Sequence, residues 1–261
     1  MALLDGDGVV SDSLRVVKFY AKQTAKVEKV VFSDGTEWDT NDLQSVPFSS
    51  GRGSVRADTY DGSLDGQANV MQGGKGSDVY ILGGGSGNDT IDEAAYNTGG
   101  GNDVDVVRLA SGITASQVSL YRDSFNLLIS LSDASGTVTD TLTVKNYYVN
   151  DAAKIERVEL SDGTKVWDTS DFTAAKLSSG YGSVGADTYD GSRDNADGIL
   201  RGGRGSDVYI LGGGSGNDTI DEAAYNIGGG NDVDVVRLKS GLTASDVELL
   251  RTRDHLIIRV L

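Results

Sequence analysis

Two adjoining segments of the chain combine clustered glycines with regularly placed aspartates. Gly73 to Ile81 fits the pattern G-G-x-G-x-D-x-U-x, in which U is a large apolar residue, and Gly84 to Asp92 fits it again. Glycine allows the positive φ angles of a tight turn, and the last three residues can form a short strand whose apolar side chain points inward. Turn carbonyls and the aspartate carboxylate are the oxygen ligands that Ca²⁺ prefers. The pattern therefore predicts calcium ions between successive turns of a coil.

The glycine-rich segment belongs to a long internal repeat. The stretch from Gly73 to Leu109 returns as Gly202 to Leu238, 129 residues later, with two substitutions in 37 positions. The 261 residues thus hold about two periods, each with a glycine–aspartate half and a linking half without clustered glycines. Self-similarity of this kind is typical of repeat architectures, in which neighbouring units bury a shared core.

The linking half has the patterns of hairpins and short helical turns. Alternating apolar residues predict its strands, which are expected at 103–109, 125–131, 137–144, 155–160 and 165–167. Capping residues predict helical turns at 114–118 and 168–172. This half is expected to bury Leu142, Val158 and Trp167 in a small core, whereas the glycine–aspartate half has too little apolar surface to fold by burial alone.

Charge and composition restrict the partners. The formal net charge is -16, and the chain has one His and no Cys. Negative charge disfavours nucleic acid and anionic membrane surfaces, and without Cys there is neither a thiolate nucleophile nor a Cys-based zinc site. No apolar run approaches the ~18 residues that span a bilayer, and the N-terminus lacks the features of a signal peptide. We expect cations as partners, with no nucleic acid and no membrane insertion, in a chain that is cytoplasmic, exported by another route or a fragment.

The glycine–aspartate nonapeptides resemble the RTX, or haemolysin-type calcium-binding, repeats. The linking half is similar to the haemolysin-type calcium-binding-protein-related domain in segments such as 104–117 and 161–167. This resemblance implies an all-β fold in which two parallel β-roll segments alternate with small antiparallel β-hairpin modules and short helical turns. It also implies Ca²⁺ as the cofactor, type I secretion of the unfolded chain, and folding in external calcium at an extracellular or cell-surface location.

On this resemblance the chain divides into five parts. They are the C-terminal part of a linking module at 1–47, β-roll 1 at 48–110, a complete linking module at 111–176, β-roll 2 at 177–239, and the N-terminal part of a linking module at 240–261.

The resemblance also implies which residues bind calcium, through aspartate carboxylates and turn carbonyls. In the first copy they are Asp58, Gly73, Gly74, Lys75, Gly76, Asp78, Gly84, Gly85, Ser86, Gly87, Asp89, Gly101 and Asp103. In the second copy they are Gly185, Asp187, Asp197, Gly202, Gly203, Arg204, Gly205, Asp207, Gly213, Gly214, Ser215, Gly216, Asp218, Gly230 and Asp232. Asp197 aligns with Ala68, so the first copy is expected to lack a ligand there.

Some of these residue types allow other interpretations. Asp34-Gly35 and Asp162-Gly163 are predicted to be turns rather than ligands. Gly83 to Gly87 lacks the Lys-Ser/Thr and the βαβ context of a phosphate loop. The paired acids Asp92-Glu93 and Asp221-Glu222 could suggest glycosidase carboxylates, but they lie in the repeated scaffold and lack a substrate-binding insert. We therefore expect that the chain is not an enzyme.

Three functions remain. The first, which we favour, is a calcium-folded structural module of a secreted or cell-surface bacterial-type protein. The second is a filament subunit, because the strands predicted at 9–17 and 256–261 each lack a partner that another copy could supply head to tail. The third is an adhesin module that binds surface glycans.

Overall fold

The fold is nearly all β, with two α-helices of five residues each among the described residues. The structure is a computed structural model, and it describes residues 2–4, 10–16, 27–95, 103–193, 197–213, 215–224 and 232–261. Parallel coils, antiparallel hairpins and short helical turns are all present, so the predicted fold class is confirmed. Backbone contacts divide the chain into unit 1, residues 1–47, and unit 2, residues 48–261. No helix of the described residues has the length and apolarity to cross a membrane.

Unit 1 consists of two short hairpins and a helix. Its elements are β1 (Ala2–Leu4), β2 (Val10–Ser13), β3 (Val30–Val31), β4 (Glu37–Trp38) and α1 (Thr40–Gln44). Strand β1 pairs antiparallel with β2, and β3 with β4. Between β3 and β4 the Asp34 carboxylate accepts the Thr36 amide at 2.8 Å, and Gly35 has a φ of 85°. Asp34-Gly35 is therefore a turn, as predicted.

The first roll in unit 2 is built from two walls of parallel strands. Its strands are β5 (Gly51–Arg52), β6 (Thr59–Asp61), β7 (Val70–Gln72), β8 (Val79–Leu82), β9 (Asn88–Ile91) and β10 (Val106–Leu109). One wall contains β6, β8 and β10, and the other contains β5, β7 and β9. Tyr60 and Tyr80 from the first wall stack at 5.2 Å between ring centroids and share a buried core with Met71 and Ile91 from the second. The alternating strand residues that point inward thus fill the roll.

The complete linking module has the two predicted hairpins. Its elements are β11 (Val118–Arg122), β12 (Leu127–Ser132), β13 (Val138–Val144), β14 (Arg157–Glu159), β15 (Val166–Asp168) and α2 (Thr169–Thr173). Strand β12 pairs antiparallel with both β11 and β13, and β14 pairs antiparallel with β15. Helix α2 begins after Asp168, whose carboxylate accepts the Ser170 amide at 2.8 Å, so the capped helical turn is also confirmed.

All five strands predicted for this part of the chain begin one to three residues later than predicted, and for two of them the local reason is clear. Strand β10 begins at Val106 rather than at 103, because the carboxylates of Asp103 and Asp105 accept amides from the preceding coil. Strand β12 begins at Leu127 rather than at 125, because the Asp123 carboxylate accepts two consecutive amides just before it. In both cases aspartate carboxylates accept backbone amides in the residues just before the strand. These side-chain bonds replace the strand pairing that the apolar pattern predicted there.

The linking module continues both walls of the first roll. Strand β13 pairs parallel with β9, and β14 pairs parallel with β10. Leu142 and Val158 are buried in the same core as Tyr80, and Trp167 packs against that core while partly exposed. The burial expected for Leu142 and Val158 is therefore confirmed, and the core that they join is shared between the linking half and the roll.

The second roll follows, joined to the first by a long sheet. The remaining strands are β16 (Lys176–Leu177), β17 (Gly180–Tyr181), β18 (Thr188–Asp190), β19 (Ile199–Arg201), β20 (Val208–Leu211), β21 (Thr219–Ile220), β22 (Val235–Leu238), β23 (Val247–Arg251) and β24 (Leu256–Val260). Ten strands form one sheet in the order β22-β20-β18-β16-β11-β12-β13-β9-β7-β5, while β17, β19 and β21 form the second wall of this roll. Short 3₁₀ turns occur at 62–64, 93–95, 115–117, 151–153, 191–193, 222–224 and 244–246.

Glycine lets successive coils stack closely. Gly76 has a φ of 115°, and a side chain on it would lie 2.5 Å from the carbonyl oxygen of Arg56 on the preceding coil. In the second roll Gly205 has a φ of 111° and meets the Gly185 carbonyl in the same way, at 2.5 Å. These two positions therefore require glycine both for their backbone angle and for the coil spacing.

Replacing Gly76 by alanine is expected to destabilise the first roll, whereas the same change at Gly84 is not. The left-handed backbone costs an alanine about 1–2 kcal/mol, and its methyl group would also meet the Arg56 carbonyl. A side chain on Gly84 meets nothing within 4 Å, so G84A is the matched control. Urea unfolding in saturating calcium compares the two, and equal midpoints would contradict the close stacking.

Candidate metal centre

One acidic residue stands directly before each strand in the continuous wall β6-β8-β10-β14. Asp58, Asp78, Asp105 and Glu156 occupy these positions. The Asp58 amide donates to Asp78 Oδ1 at 2.7 Å, and the Asp78 amide donates to Asp105 Oδ1 at 2.8 Å. The Asp105 amide donates to Glu156 Oε2 at 2.6 Å. Each carboxylate thus reaches back to the coil before it and forms one rung of an acidic ladder.

Three carboxyl groups converge at the middle of this ladder. One oxygen each from Asp78, Glu93 and Asp105 lies within 4.8 Å of the others, and all three residues are buried. Glu93 lies in a 3₁₀ turn that follows β9. Its Oε2 accepts a hydrogen bond from the Gly74 amide at 2.8 Å, and its Oε1 accepts one from the Tyr80 hydroxyl. We call Asp78, Glu93 and Asp105 the first acidic cluster.

The repeat produces an equivalent cluster in the second roll. Asp207, Glu222 and Asp234 also bring one oxygen each within 4.8 Å of the others. Glu222 makes the corresponding bonds to the Gly203 amide and the Tyr209 hydroxyl. Asp207 is buried, Glu222 is half-buried and Asp234 is exposed. We call this set the second acidic cluster.

Burial makes the first acidic cluster electrostatically unfavourable when it is ionised. Burial, together with the smaller effect of neighbouring carboxylates, raises the pKa of Asp78 to about 6, that of Asp105 to about 7 and that of Glu93 to about 9. No ion pair of the described residues involves any of the three. Buried charges need a partner of opposite sign, so this cluster calls for protons or a cation.

Among the described residues, three buried carboxylate oxygens have no hydrogen-bond donor, which fits a metal ligand. They are Oδ2 of Asp78, Oδ2 of Asp89 and Oδ2 of Asp207, whose residues are each at most 1% exposed. A buried acceptor without a donor is costly, whereas Ca²⁺ is bound by carboxylate oxygens of this kind. The residues present therefore fit the calcium ion that the nonapeptide pattern predicts.

A second row of carboxylates follows the other wall of the first roll. Asp89 Oδ1 accepts the Asn69 amide at 2.9 Å, and burial raises the pKa of Asp89 to about 6. Asp140, from β13 of the linking module, accepts the Gly87 amide at 3.0 Å and the Gly85 amide at 3.2 Å. The linking module thus adds a carboxylate to each edge of the roll, Asp140 here and Glu156 on the first ladder.

The predicted aspartates lie at the coil edges, in different surroundings. Asp58 and Asp187 are the ladder rungs before Asp78 and Asp207, to which their amides donate. Asp103 and Asp232 lie beside the clusters and accept the amides of Gly76 and Gly205 at 3.3 Å. Asp218 accepts the Gly198 amide at 2.9 Å, and Asp197 accepts the Asn217 amide at 2.7 Å.

The predicted turn residues fall into three groups. Buried turn residues are Gly73, Gly74, Ser86, Gly202, Gly203 and Ser215. Half-buried or exposed ones are Lys75, Gly76, Gly84, Gly85, Gly87, Gly185, Arg204, Gly205, Gly213 and Gly216. Gly101, Gly214 and Gly230 lie outside the described residues.

Sequence reasoning missed Glu93, Asp105, Asp140 and Glu156. Asp105 and Glu156 stand before an apolar strand in the same way as Asp78, and this signal could have found them. Glu93 was considered only as part of an acidic pair with Asp92. The two side chains separate in the structure, because the Asp92 carboxylate pairs with Lys145 at 2.9 Å while Glu93 enters the cluster.

Comparison with known proteins agrees with this geometry. Residues 5–42 and 126–171 match the family model of the haemolysin-type calcium binding protein related domain. Two segments of the chain are thus similar to this domain. The resemblance recognised in the linking halves is therefore confirmed, and the second segment, at 126–171, contains Asp140 and Glu156.

The chain is also similar to one curated bacterial protein. Over 81 residues it is 36% identical to iron-regulated protein FrpA of Neisseria meningitidis serogroup C. The aligned stretch is 31% of this chain and 7% of that protein. The two proteins thus resemble each other over this one segment. The match to the calcium-binding-related family model includes two segments of this chain.

Without calcium, the stability of the fold is expected to fall as pH rises. The folded-state pKa values of Asp78, Asp105 and Glu93 are about 6, 7 and 9, above the unfolded values near 4. The folded chain therefore binds more protons, and this contribution is present below about pH 4 and lost as pH passes the folded values. Bound Ca²⁺ favours the ionised groups and should oppose the decline. Far-UV circular dichroism of chelated protein between pH 5 and pH 9 measures the β-content, which should be highest at pH 5; an unchanged spectrum across this range would contradict the prediction.

Asp140→Asn is expected to loosen the linking module from the first roll. The amide keeps the shape but removes the charge that strengthens two hydrogen bonds, each worth about 1.5–3 kcal/mol to a charged group. We expect the free energy of unfolding to fall by about 1–3 kcal/mol, with faster amide exchange in β13. Asp151→Asn is the control, because that side chain is 96% exposed. Indistinguishable variants would contradict a docking role for Asp140.

Proposed function

We propose that this chain is a calcium-folded structural repeat module of a secreted or cell-surface protein. The observation that carries the proposal is the buried Asp78 Oδ2, and its repeat equivalent Asp207 Oδ2, neither of which has a hydrogen-bond donor. Both belong to the predicted nonapeptides, and the segments similar to the calcium-binding-related domain lie beside them along the chain. Calcium is thus the cation that we propose these coil edges bind.

The ligands that we propose are the edge aspartates, assisted by turn carbonyls. Asp78, Asp89 and their counterparts Asp207 and Asp218 each use one oxygen to accept an amide from the preceding coil. That bond holds the carboxylate between two coils, so the same group can link them through an ion. Bound Ca²⁺ supplies the positive charge that these ionised groups lack. The turn residues predicted from the sequence remain the proposed carbonyl ligands.

The proposed location follows from this calcium requirement. Stacked carboxylates keep the chain from folding where calcium is scarce, and extracellular modules bind calcium at about 10⁻⁴–10⁻³ M. A chain of this kind stays unfolded inside a cell, as type I export requires, and folds outside. The proposed role is structural and not enzymatic, because the acidic residues serve to hold coils together.

Head-to-tail filament formation and glycan binding stay predictions. No contact within the described part of the chain favours either over a passive module. Light scattering during a calcium titration would reveal growth of filaments, and a glycan array would reveal an adhesin.

Calcium is expected to convert the chelated chain from coil to β-structure. Far-UV circular dichroism would follow the transition between micromolar and millimolar calcium, with magnesium as the control ion. The double variant D78N/D207N should raise the calcium midpoint at least about tenfold, because the loss of even an outer-shell partner of a metal site costs about 10–100-fold in affinity. Asp254→Asn, at a side chain that is 73% exposed, should leave the midpoint unchanged. A chain that is folded and indifferent to calcium would overturn the proposed function.

A further inference from the structure

The two acidic clusters contain residues that the nonapeptide pattern does not include. Glu93 follows the last residue of the second nonapeptide, and Asp105 lies 27 residues beyond Asp78 along the chain. Stacking of β8 against β10, and the 3₁₀ turn after β9, bring them to Asp78. The cluster therefore exists only in the folded roll and is distinct from the turns themselves.

The first cluster is turned toward the interior of the roll. Glu93 Oε1 accepts the hydroxyl of Tyr80, whose ring is fully buried in the core between the two walls. The Tyr80 hydroxyl in turn accepts the Gly73 amide at 3.1 Å. The Gly74 amide is directed at Glu93 rather than outward. The carboxyl groups thus meet at the inner side of the turn, where bulk water has little access.

A buried oxygen without a donor faces this meeting point. A side chain built on Gly73 would collide with both Asp78 Oδ2 and the Tyr80 hydroxyl, which places these two oxygens on either side of the same small space. Asp78 Oδ2 has no hydrogen-bond partner, and Asp78 is 0% exposed. In the second roll Gly202, Asp207 Oδ2 and Tyr209 repeat the arrangement. Two independent observations, convergent carboxyl groups and an orphaned oxygen, therefore mark the same place in both copies.

We propose that each acidic cluster holds one divalent cation of the calcium type at the inner side of its turn. Asp78, Glu93 and Asp105 are the ligands in the first roll, and Asp207, Glu222 and Asp234 in the second. The three carboxylates bring one oxygen each to this point, and backbone carbonyls can supply the remaining oxygens of the six to eight that Ca²⁺ prefers. The proposal rests on the proposed function and adds one ion per copy to those bound by the turn residues, with the Asp78 and Asp207 carboxylates as ligands shared between the two ions of their turn.

The two copies differ in their surroundings, which predicts an order of affinity. Glu156 of the linking module lies close enough to add its negative charge to Asp105 and Glu93. Asp234 is exposed, whereas its counterpart Asp105 is buried. The first cluster therefore binds its cation more tightly than the second.

Calcium stoichiometry of the full chain tests the proposal. The double variant E93Q/E222Q keeps an amide oxygen that accepts the glycine amide but removes the two charges. Equilibrium dialysis with Ca²⁺ should find two ions fewer per chain than in the unaltered protein. The adjacent acids Asp92 and Asp221 provide the control D92N/D221N, because their side chains pair with Lys145 and Arg201 instead. That control should keep every ion.

The outcomes separate this proposal from the proposed function. An unchanged number of ions in E93Q/E222Q would overturn the cluster site while leaving calcium-dependent folding intact. An unaltered chain that binds no calcium would overturn both. Two ions lost from E93Q/E222Q and none from D92N/D221N support the cluster site.

A second measurement avoids any variant that fails to fold. Tb³⁺ replaces Ca²⁺ at oxygen sites and scatters anomalously, so a crystal of the unaltered chain grown with Tb³⁺ would locate it directly. A peak among the carboxylate oxygens of Asp78, Glu93 and Asp105 supports the proposal. Peaks confined to the outer turns would overturn it.

Discussion

Mutual repulsion of carboxylates at the coil edges is the constraint on which this structure depends. Two unit charges about 4 Å apart repel by roughly 4 kcal/mol at an effective dielectric of 20. The first acidic cluster holds three buried carboxyl groups without a basic partner among the described ion pairs. The same groups accept amides from neighbouring coils and so order the stack. Under the proposed function, calcium converts an arrangement that resists folding into one that stabilises the fold.

The linking module is subject to the same carboxylate repulsion, because its strands pair with those of the first roll and its carboxylates extend the acidic rows. Its strands β13 and β14 continue the two walls, and Asp140 and Glu156 end the two rows of carboxylates. Through β11 and β16 the same module continues into a wall of the second roll. Under the proposed function, an ion bound at one edge therefore also stabilises strands that lie well beyond its turn.

The rolls differ in how much apolar burial supports them. The described core that includes the first roll and linking module has aromatic and aliphatic residues from both, among them Tyr60, Tyr80 and Phe172. The buried residues of the core cluster in the second roll are Leu177, Tyr189, Leu200 and Tyr209. Because burial contributes in proportion to apolar area, the proposed function implies that the second roll depends more heavily on calcium than the first.

The sequence by itself determined the elements whose signals are local. Glycine spacing located the turns, alternation located the strands, and the nonapeptide placed Asp78 and Asp89 at coil edges. Because the sequence repeats, each of these predictions applied to both copies.

Only the tertiary structure decided which acids meet. Asp105 and Glu156 lie 51 residues apart, and consecutive rungs of the first ladder are separated by 20, 27 and 51 residues. Such unequal steps leave no period to read, because the lengths of the intervening loops are set by what each coil must span. Parallel stacking brings the start of every strand to one edge, and that edge is where Glu93 and Asp105 join Asp78.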